Sequence, residues 1–248
     1  DAQAAFGSVV AFNAEVDADT AEEIMQTIVE GVAAPAFTHD AIETFLNFDR
    51  FKRNKEIRII KLPDFSKLPK FVGDHTGVLE MKVFDDGSVV LAVPYLSRVK
   101  GPQDLVPAYC DHAKKGRIDV ARRPTERELD DLLFAWYVNI HVRSNGCVIA
   151  RNGQTLAVGT GEQDRVGAVE QAIIKVRNKY KGAERLEGAV MSSDGFFPFR
   201  DAVDAATKNG VTALVQPGGS VNDYDAIQAC NEVQATMVFS MERCFSHH

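Results

Sequence analysis

No two cysteines in this sequence stand at CxxC spacing, and only four occur in 248 residues, at positions 110, 147, 230 and 244. That excludes a disulfide framework and leaves free thiols in a reducing compartment as the expectation. No apolar run approaches the roughly 20 residues that a membrane-spanning helix needs, and no signal-peptide pattern opens the chain. The expectation is a soluble, cytoplasmic protein with no membrane partner. Positive charge is not in excess either: 28 Lys and Arg against 35 Asp and Glu give a net charge of -7. Nucleic acid is thereby excluded as a partner, because phosphate-backbone binding needs a basic footprint. A small anion is not excluded, since two well-placed arginines suffice for one phosphate. An initiator Met and a polar leader are also missing. Asp1 leads almost directly into the strand-like run Ser8–Phe12, so the expectation is that the protein is cut here or that a preceding part is absent.

What is present is ordinary for a folded protein. The chain is 45% hydrophobic and 25% charged, a globular composition at a length that permits one large domain or two smaller ones. Ser8–Phe12 reads as a short buried strand. Thr20-Ala21-Glu22-Glu23 has the form of a capping box, and Ile24, Ile28 and Val29 recur at helical spacing behind it. This predicts a helix that Gly31 and Pro35 close near residue 32. A second helix is predicted from Asp40 to about Leu46, and a strand at Ile57–Ile60. Leu79–Val93 reads as a hairpin turning at Asp85-Asp86-Gly87. Residues 97–126 are polar, carry Gly101, Pro102, Gly116 and Pro124, and read as a connector with some helix.

The second half is clearer. Thr125-Glu126-Arg127-Glu128 opens a helix carrying Leu129, Leu132, Leu133, Trp136 and Val138. Gly146–Ala150 and Thr155–Val158 read as two strands joined at Asn152-Gly153, a type I′ hairpin signal. A helix is predicted from Arg165 to Tyr180, with Val166, Val169, Ile173 and Val176 on one face. Then come a strand at Gly188–Met191, a helix with Pro198 in its first turn ending at Gly210, and a strand at Val211–Val215. Asn222 caps a helix to about Val233, and Thr236–Ser240 is the last strand. Alternating strands and helices, interrupted by one hairpin, predict an α/β layered fold with a mixed sheet and helices on its faces. The similar grammar of the two halves suits a duplication, though no clear sequence repeat accompanies it.

Several polar segments lie at element ends, where ligands gather in open α/β sheets. They are Ala5-Phe6-Gly7, Arg143-Ser144-Asn145, Gly159 to Arg165, Ser192 to Asp201, Pro217 to Ser220, and Arg243 to His248. Each has a plain reading. A GxG after a strand is usually a turn, three Phe in four positions usually belong to a core, and Asn before a strand is usually a cap. Pro-Gly-Gly-Ser is usually a turn, and a terminal His pair usually a disordered end or a tag remnant.

Together, and in order, the segments resemble one family, the AICAR transformylases. Ser193-Asp194-Gly195-Phe196-Phe197-Pro198-Phe199-Arg200-Asp201 resembles the SDAFFPFRD signature, and Arg143-Ser144-Asn145 the KSN/QSN element. Gly159 to Arg165 resembles GxGxxSR, Gln216 to Ser220 resembles QPGGS, and Arg243-Cys244-Phe245-Ser246-His247 the terminal RxFxH. Upstream, Ala5-Phe6-Gly7 is similar to SFG, and Glu30-Gly31 with Ala34-Pro35 to the family's acidic-Gly and Ala-Pro stretch.

The resemblance implies a cytidine-deaminase-like three-layer α/β fold with mixed sheets and two related subdomains, the first incomplete. Residues 1–96 would be the remainder of the first, 97–124 a connector, and 125–248 the second. It implies transfer of a formyl group from 10-formyltetrahydrofolate to the 5-amine of AICAR in purine biosynthesis, by a homodimer with its active site near the subunit interface. Such chemistry must take a proton from a weakly nucleophilic amine, stabilise an oxyanion and hold a phosphate. The resemblance assigns Arg165 and Arg243 to the nucleotide, with Arg243 on the phosphate. Glu30 and the Gly7 backbone go to the ribose or base, and Phe196 to the imidazole. Asn145 orients the amine or the formyl oxygen, and His247 lies near the amine. Asp201 reads the pteridine, with Val166, Ser220 and Val221 lining the folate site.

The sequence departs from the family at three points. The Lys-His pair of the KHxNPxG segment, the family's principal proton-transfer group, does not occur here and would precede Asp1. The Ser of GxGxxSR is Asp164. Nothing resembles the IMP cyclohydrolase half. Two rivals follow. A zinc deaminase needs HxE and PCxxC ligands, but His141 is followed by Val142 and Arg143, so no zinc is expected. The other is a non-catalytic purine- or folate-binding remnant, or a fragment that needs a separate segment bearing Lys-His.

Overall fold

The computed structural model describes residues 5–63, 68–74, 77–180 and 186–246. They fall into two compact units, Asp1–Pro69 with His75–Val78, and Lys70–Asp74 with Leu79–His248.

The first unit is built on three parallel strands, β1 (Ser8–Ala11), β2 (Val29–Ala34) and β3 (Arg58–Lys61), adjacent in that order. Helices α1 (Ala18–Met25) and α2 (His39–Leu46) connect them. The predicted helix to residue 32 is corrected here: α1 stops at Met25, and Val29–Ala34 is the central strand. Asp17, not Thr20, is the N-cap, its side chain accepting from the Thr20 N–H at 2.9 Å. Ile28 and Val29 fit helical spacing by coincidence. A central parallel strand is apolar on both faces, so its periodicity cannot be told from that of a buried helix. Asn54 fixes the α1–β2 turn. Buried, it accepts from the Val29 N–H at 3.0 Å and donates to the Thr27 carbonyl at 2.8 Å. Val16, Met25, Val32, Phe45 and Phe51 form this unit's core.

The second unit begins with an antiparallel ribbon, β4 (Glu80–Val83) and β5 (Val89–Ala92), turning at Gly87 with φ +81°. The polar stretch read as a connector supplies a short strand, β6 (Val106–Pro107), and a hairpin, β7 (Tyr109–His112) and β8 (Gly116–Asp119). Next come α3 (Glu126–Asn139), β9 (Cys147–Arg151), β10 (Gln154–Gly159), α4 (Arg165–Tyr180) and β11 (Ala189–Ser193). The unit ends with α5 (Asp201–Lys208), β12 (Val211–Gln216), α6 (Asp223–Glu232) and β13 (Thr236–Phe239). The β9–β10 turn has φ +54° at Asn152 and +68° at Gly153, as a type I′ turn requires. Two expectations are corrected. α5 starts at Asp201, so Pro198 precedes it, and Phe196–Phe199 form an irregular stretch that drives Phe197 into the core. Asn222 holds the N-cap position of α6, but its side chain donates to the Pro198 carbonyl at 2.6 Å instead of capping.

A six-stranded mixed sheet runs in the order β10-β9-β11-β12-β13-β6. Strand alternation loads both faces. Ile149, Met191, Leu214 and Met237 pack with residues of α4, α5 and α6, while Val148, Val190, Ala213 and Val238 pack with Leu132, Ala135 and Trp136 of α3. No helix of the described residues is long and apolar enough to cross a membrane.

The four cysteines are free. Burial pushes the Cys147 and Cys230 thiols up to about 12 and raises those of Cys244 and Cys110 as well. Only Cys110 is not fully buried. A small alkylating reagent at pH 8 is expected to modify Cys110 first, the others reacting only in denaturant. Equal labelling of all four in the native protein, read by mass spectrometry, would contradict this packing.

Candidate functional site

Strand polarity gathers the polar segments. β11, β12 and β13 are mutually parallel, while β9 is antiparallel to β10 and β11. The ends of β10, β11, β12 and β13 and the start of β9 therefore share one edge of the sheet. Across it, Gly159 pairs with Cys147, Cys147 with Ser193, Gln216 with Phe239, and Phe239 with Val106. Just beyond that row lie Thr160–Arg165, Asn145-Gly146, Asp194–Asp201, Pro217–Ser220 and Ser240–Ser246.

Asp194 is the hub. Fully buried, it forms an ion pair with Arg165, itself 7% exposed. The other carboxylate oxygen accepts from the Ser144 hydroxyl and, at 3.0 Å, from the Gly146 N–H. Its backbone carbonyl accepts from the Cys244 N–H at 3.2 Å. Ser144 completes the knot: its Oγ accepts from the Ser246 N–H at 3.0 Å, and its own N–H donates to the Ser246 carbonyl at 2.8 Å. The Asp194 carboxylate thus ties the residues before β9 to the start of α4, while its backbone carbonyl and Ser144 hold the C-terminal segment. A buried ion pair is tolerated when hydrogen bonds satisfy its remaining atoms.

Above this knot stand aromatic rings and a second cation. The Arg243 guanidinium lies 4.9 Å from the Phe196 ring centre and 5.9 Å from that of Phe245, and Arg165 lies 5.8 Å from the Phe245 ring on its own account. Arg243 is exposed while Arg165 is buried. Asp194 offsets the charge of Arg165, so of these two cations the exposed Arg243 is the one open to an anion. Asn145, joined to Ser144 by a cis peptide bond, donates from Nδ2 to the Glu162 carbonyl at 2.9 Å. Asp164 accounts for its own departure from Ser. Its carboxylate accepts from the Gly167 N–H at 2.7 Å, an N-cap contact at the head of α4 that Ser or Asp makes equally well.

Arg165, Asn145, Phe196 and Arg243 thus share this edge. Val166 is half-buried in the first turn of α4, and Asp201 is exposed at the first position of α5. Ser220 and the exposed Val221 line a cavity of about 810 Å³ with Tyr109, His112, Phe239 and Met241 among its walls; Asp201 and Val166 do not line it. Its buried Asp223 accepts from Gln216 Nε2 at 3.0 Å and the Ser220 N–H at 2.9 Å, and burial raises its carboxyl. In the first unit, Gly7 (φ +70°) and Glu30 are neighbours across β1 and β2, and a Cβ on Gly7 would sit 3.8 Å from a Glu30 carboxylate oxygen. Glu30 also lines a cavity of about 380 Å³ with Arg53, Lys55 and Arg58. His247 lies outside the described residues.

Sequence reasoning missed Asp194 and Ser144 as organisers, and Tyr109 and His112 as cavity walls. Asp194 lies inside the Ser193–Asp201 motif, but its partners are 29 to 50 residues away in the chain, and no local pattern reveals such pairs.

Comparison with known proteins bears on the whole chain. The family described as AICARFT/IMPCHase bienzyme matches residues 1–175. The chain is similar to the bifunctional purine biosynthesis protein PurH of Acetivibrio thermocellus, with 40% identity over 243 residues, 98% of this chain and 41% of that protein. Similarity to PurH of Aquifex aeolicus is 37% over 247 residues, and to PurH of Persephonella marina 36% over 247 residues, each covering 100% of this chain and 42% of the relative. The chain spans about two fifths of the length of these curated relatives.

Proposed function

The chain belongs to the AICARFT/IMPCHase bienzyme family, and we propose that within it this chain carries the formyl-transferring site, moving a formyl group from 10-formyltetrahydrofolate to the 5-amine of AICAR. The observation that carries the reading is the convergence of Asn145, Arg165, Phe196 and Arg243 on one sheet edge around the buried Arg165–Asp194 pair.

The residue chemistry suits the reaction. The amine lone pair is delocalised into the imidazole and carboxamide, so attack on the formyl carbon must be coupled to proton loss, and an oxyanion must be held as the tetrahedral centre forms. Arg243, exposed and laid over Phe196, is assigned to the phosphate, and Phe196 to the flat imidazole. Arg165 supports the nucleotide side from within the ion pair. Asn145 gives one Nδ2 proton to Glu162. Its second N–H suits the formyl oxygen, and its Oδ1 suits the amine proton. Proton removal is assigned to His247 and to a Lys-His pair of the kind the family carries. Glu30 and the Gly7 backbone are assigned to the ribose or base. Asp201, Val166, Ser220 and Val221 are assigned to the folate. The cavity lined by Ser220 and Val221 supports the assignment of those two, being of the size that buries a drug-sized heterocycle.

On the same reading the fold is cytidine-deaminase-like, with 1–96 and 125–248 as its subdomains joined by 97–124, and the protein works as a cytoplasmic homodimer. The β4–β5 ribbon supports the dimer. The cross-strand pairs Met81–Leu91 and Val83–Val89 set four apolar side chains on one face, each more than half exposed. An uncovered apolar ribbon is marginal in water, and a second copy supplies a cover.

The test is calorimetry with AICAR and a formyl-transfer assay on the full-length protein. Arg243→Ala is expected to weaken AICAR binding roughly 10- to 100-fold, the range for loss of a charged hydrogen bond. His247→Ala is expected to lower turnover more than affinity. If the wild type ignores AICAR, or the two variants exchange phenotypes, the assignment fails.

A further inference from the structure

The segment after β13 carries Arg243, and its backbone is held at several points by residues remote in sequence. The Ser240 N–H donates to the Gln216 carbonyl at 2.9 Å. The Glu242 carboxylate accepts from the Ser97 hydroxyl, and from the N–H groups of Arg98 at 3.0 Å and Val99 at 3.4 Å. Ser97 is buried and also receives the Trp136 indole N–H at 3.4 Å. On the other side of Arg243, Cys244 is buried and donates to the Asp194 carbonyl, and Ser246 exchanges two hydrogen bonds with Ser144. Arg243 therefore sits between two anchors, one on the 97–99 loop and one on the Ser144–Asp194 knot.

We propose that Glu242 and the Ser144–Asp194 pair are positioning residues that seat this segment and aim Arg243 at the phosphate of the nucleotide. The inference rests on the assignment of Arg243 given above. The physical reason is preorganisation. Fixing a residue's backbone costs conformational entropy, and an arginine on a loose segment meets that cost upon binding. Anchors on both sides meet it during folding, leaving mainly the side chain to be ordered. Phe196, stacked under the guanidinium at 4.9 Å, then limits the rotamers that remain.

The experiment compares Glu242→Ala and Ser144→Ala in the full-length protein. Asp194 itself is left intact, because removing it strands the buried Arg165 and risks misfolding. Two measurements are made: hydrogen exchange over residues 240–246, and calorimetric affinity for AICAR and for its phosphate-free ribonucleoside. Both variants are expected to exchange faster at Cys244 and Ser246. AICAR should bind roughly 10-fold more weakly, while ribonucleoside affinity stays unchanged. In an Arg243→Ala background, adding either substitution should cost no further AICAR affinity. Faster exchange with unchanged AICAR affinity overturns the proposal, as does an equal loss for nucleotide and ribonucleoside, or exchange that does not rise. If wild-type protein fails to bind AICAR, the assignment of the site falls and this inference with it. If the wild type binds and only the anchor variants behave as wild type, this inference falls alone.

Discussion

Gly159→Ala is expected to destabilise the second unit by about 3 kcal/mol or more, the upper range for forcing an atom into a packed interior. A Cβ at residue 159 would lie 1.9 Å from the Ala168 carbonyl oxygen and 3.0 Å from the Cys147 sulfur. The Ala168 oxygen already accepts the Cys147 thiol at 3.1 Å, so neither neighbour can simply turn aside. The obstacle is helix backbone, and α4 has to move off the sheet. Arg165, the first residue of α4, would move with it and leave Asp194, so nucleotide affinity should fall together with stability. Gly161 is the control. It has φ +68° and nothing within 4 Å of its Cβ position, so alanine there costs only the left-handed backbone penalty of about 1–2 kcal/mol. Urea denaturation of the two variants measures the contrast. If Gly159→Ala unfolds at the wild-type midpoint, the close approach of α4 to β10 is wrong.

Glu128→Gln is expected to cost about 3 kcal/mol at neutral pH, and the cost should vanish in acid. Glu128 is 3% exposed, at the start of α3. Burial alone would raise its carboxyl. Hydrogen bonds from Arg122, the Thr212 hydroxyl and the Thr125 N–H outweigh that and bring it from 4.5 to about 2. The folded-state value is depressed, so its contribution is complete above the unfolded value near 4.5 and is lost as pH falls toward 2. Wild-type and variant stabilities should therefore differ most above pH 5 and converge only as pH falls to about 2. A penalty that stays constant across that window would mean that packing, not charge, is what Glu128 supplies. The residue joins three distant pieces of chain, because Arg122 bonds at once to Glu128, the Thr212 carbonyl and the Gln234 carbonyl.

Much of the second unit was legible because its signals are local. The Thr125–Glu128 capping box, the Asn152-Gly153 turn and the apolar stripe of α4 each lie within a few residues, and each formed where the pattern put it. The first unit was less legible at β2. There an apolar run buried on both faces carries no period, and tertiary pairing with β1 and β3 decided for strand. Phe196–Phe199 shows a similar override, where the demand to bury Phe197 between sheet and helices delayed α5 past Pro198.

The polar segments at element ends are a matter of sequence alone: which residue types they hold, and in what order. That they meet is not. Strand order and direction put five of those ends on one edge, since parallel neighbours align their ends and β9 runs the other way. Tertiary structure also sorted the two arginines. Asp194, reached across the fold, draws Arg165 into a buried pair, while Glu242, Ser144 and Cys244 hold Arg243 out over Phe196. The sequence by itself determined the absence of a basic footprint, the capped helices and the set of groups available for chemistry, because composition and short-range contacts need no partner. Which arginine is drawn into a buried pair and which faces solvent depended on groups far apart in the chain, and only folding brings those within hydrogen-bond reach.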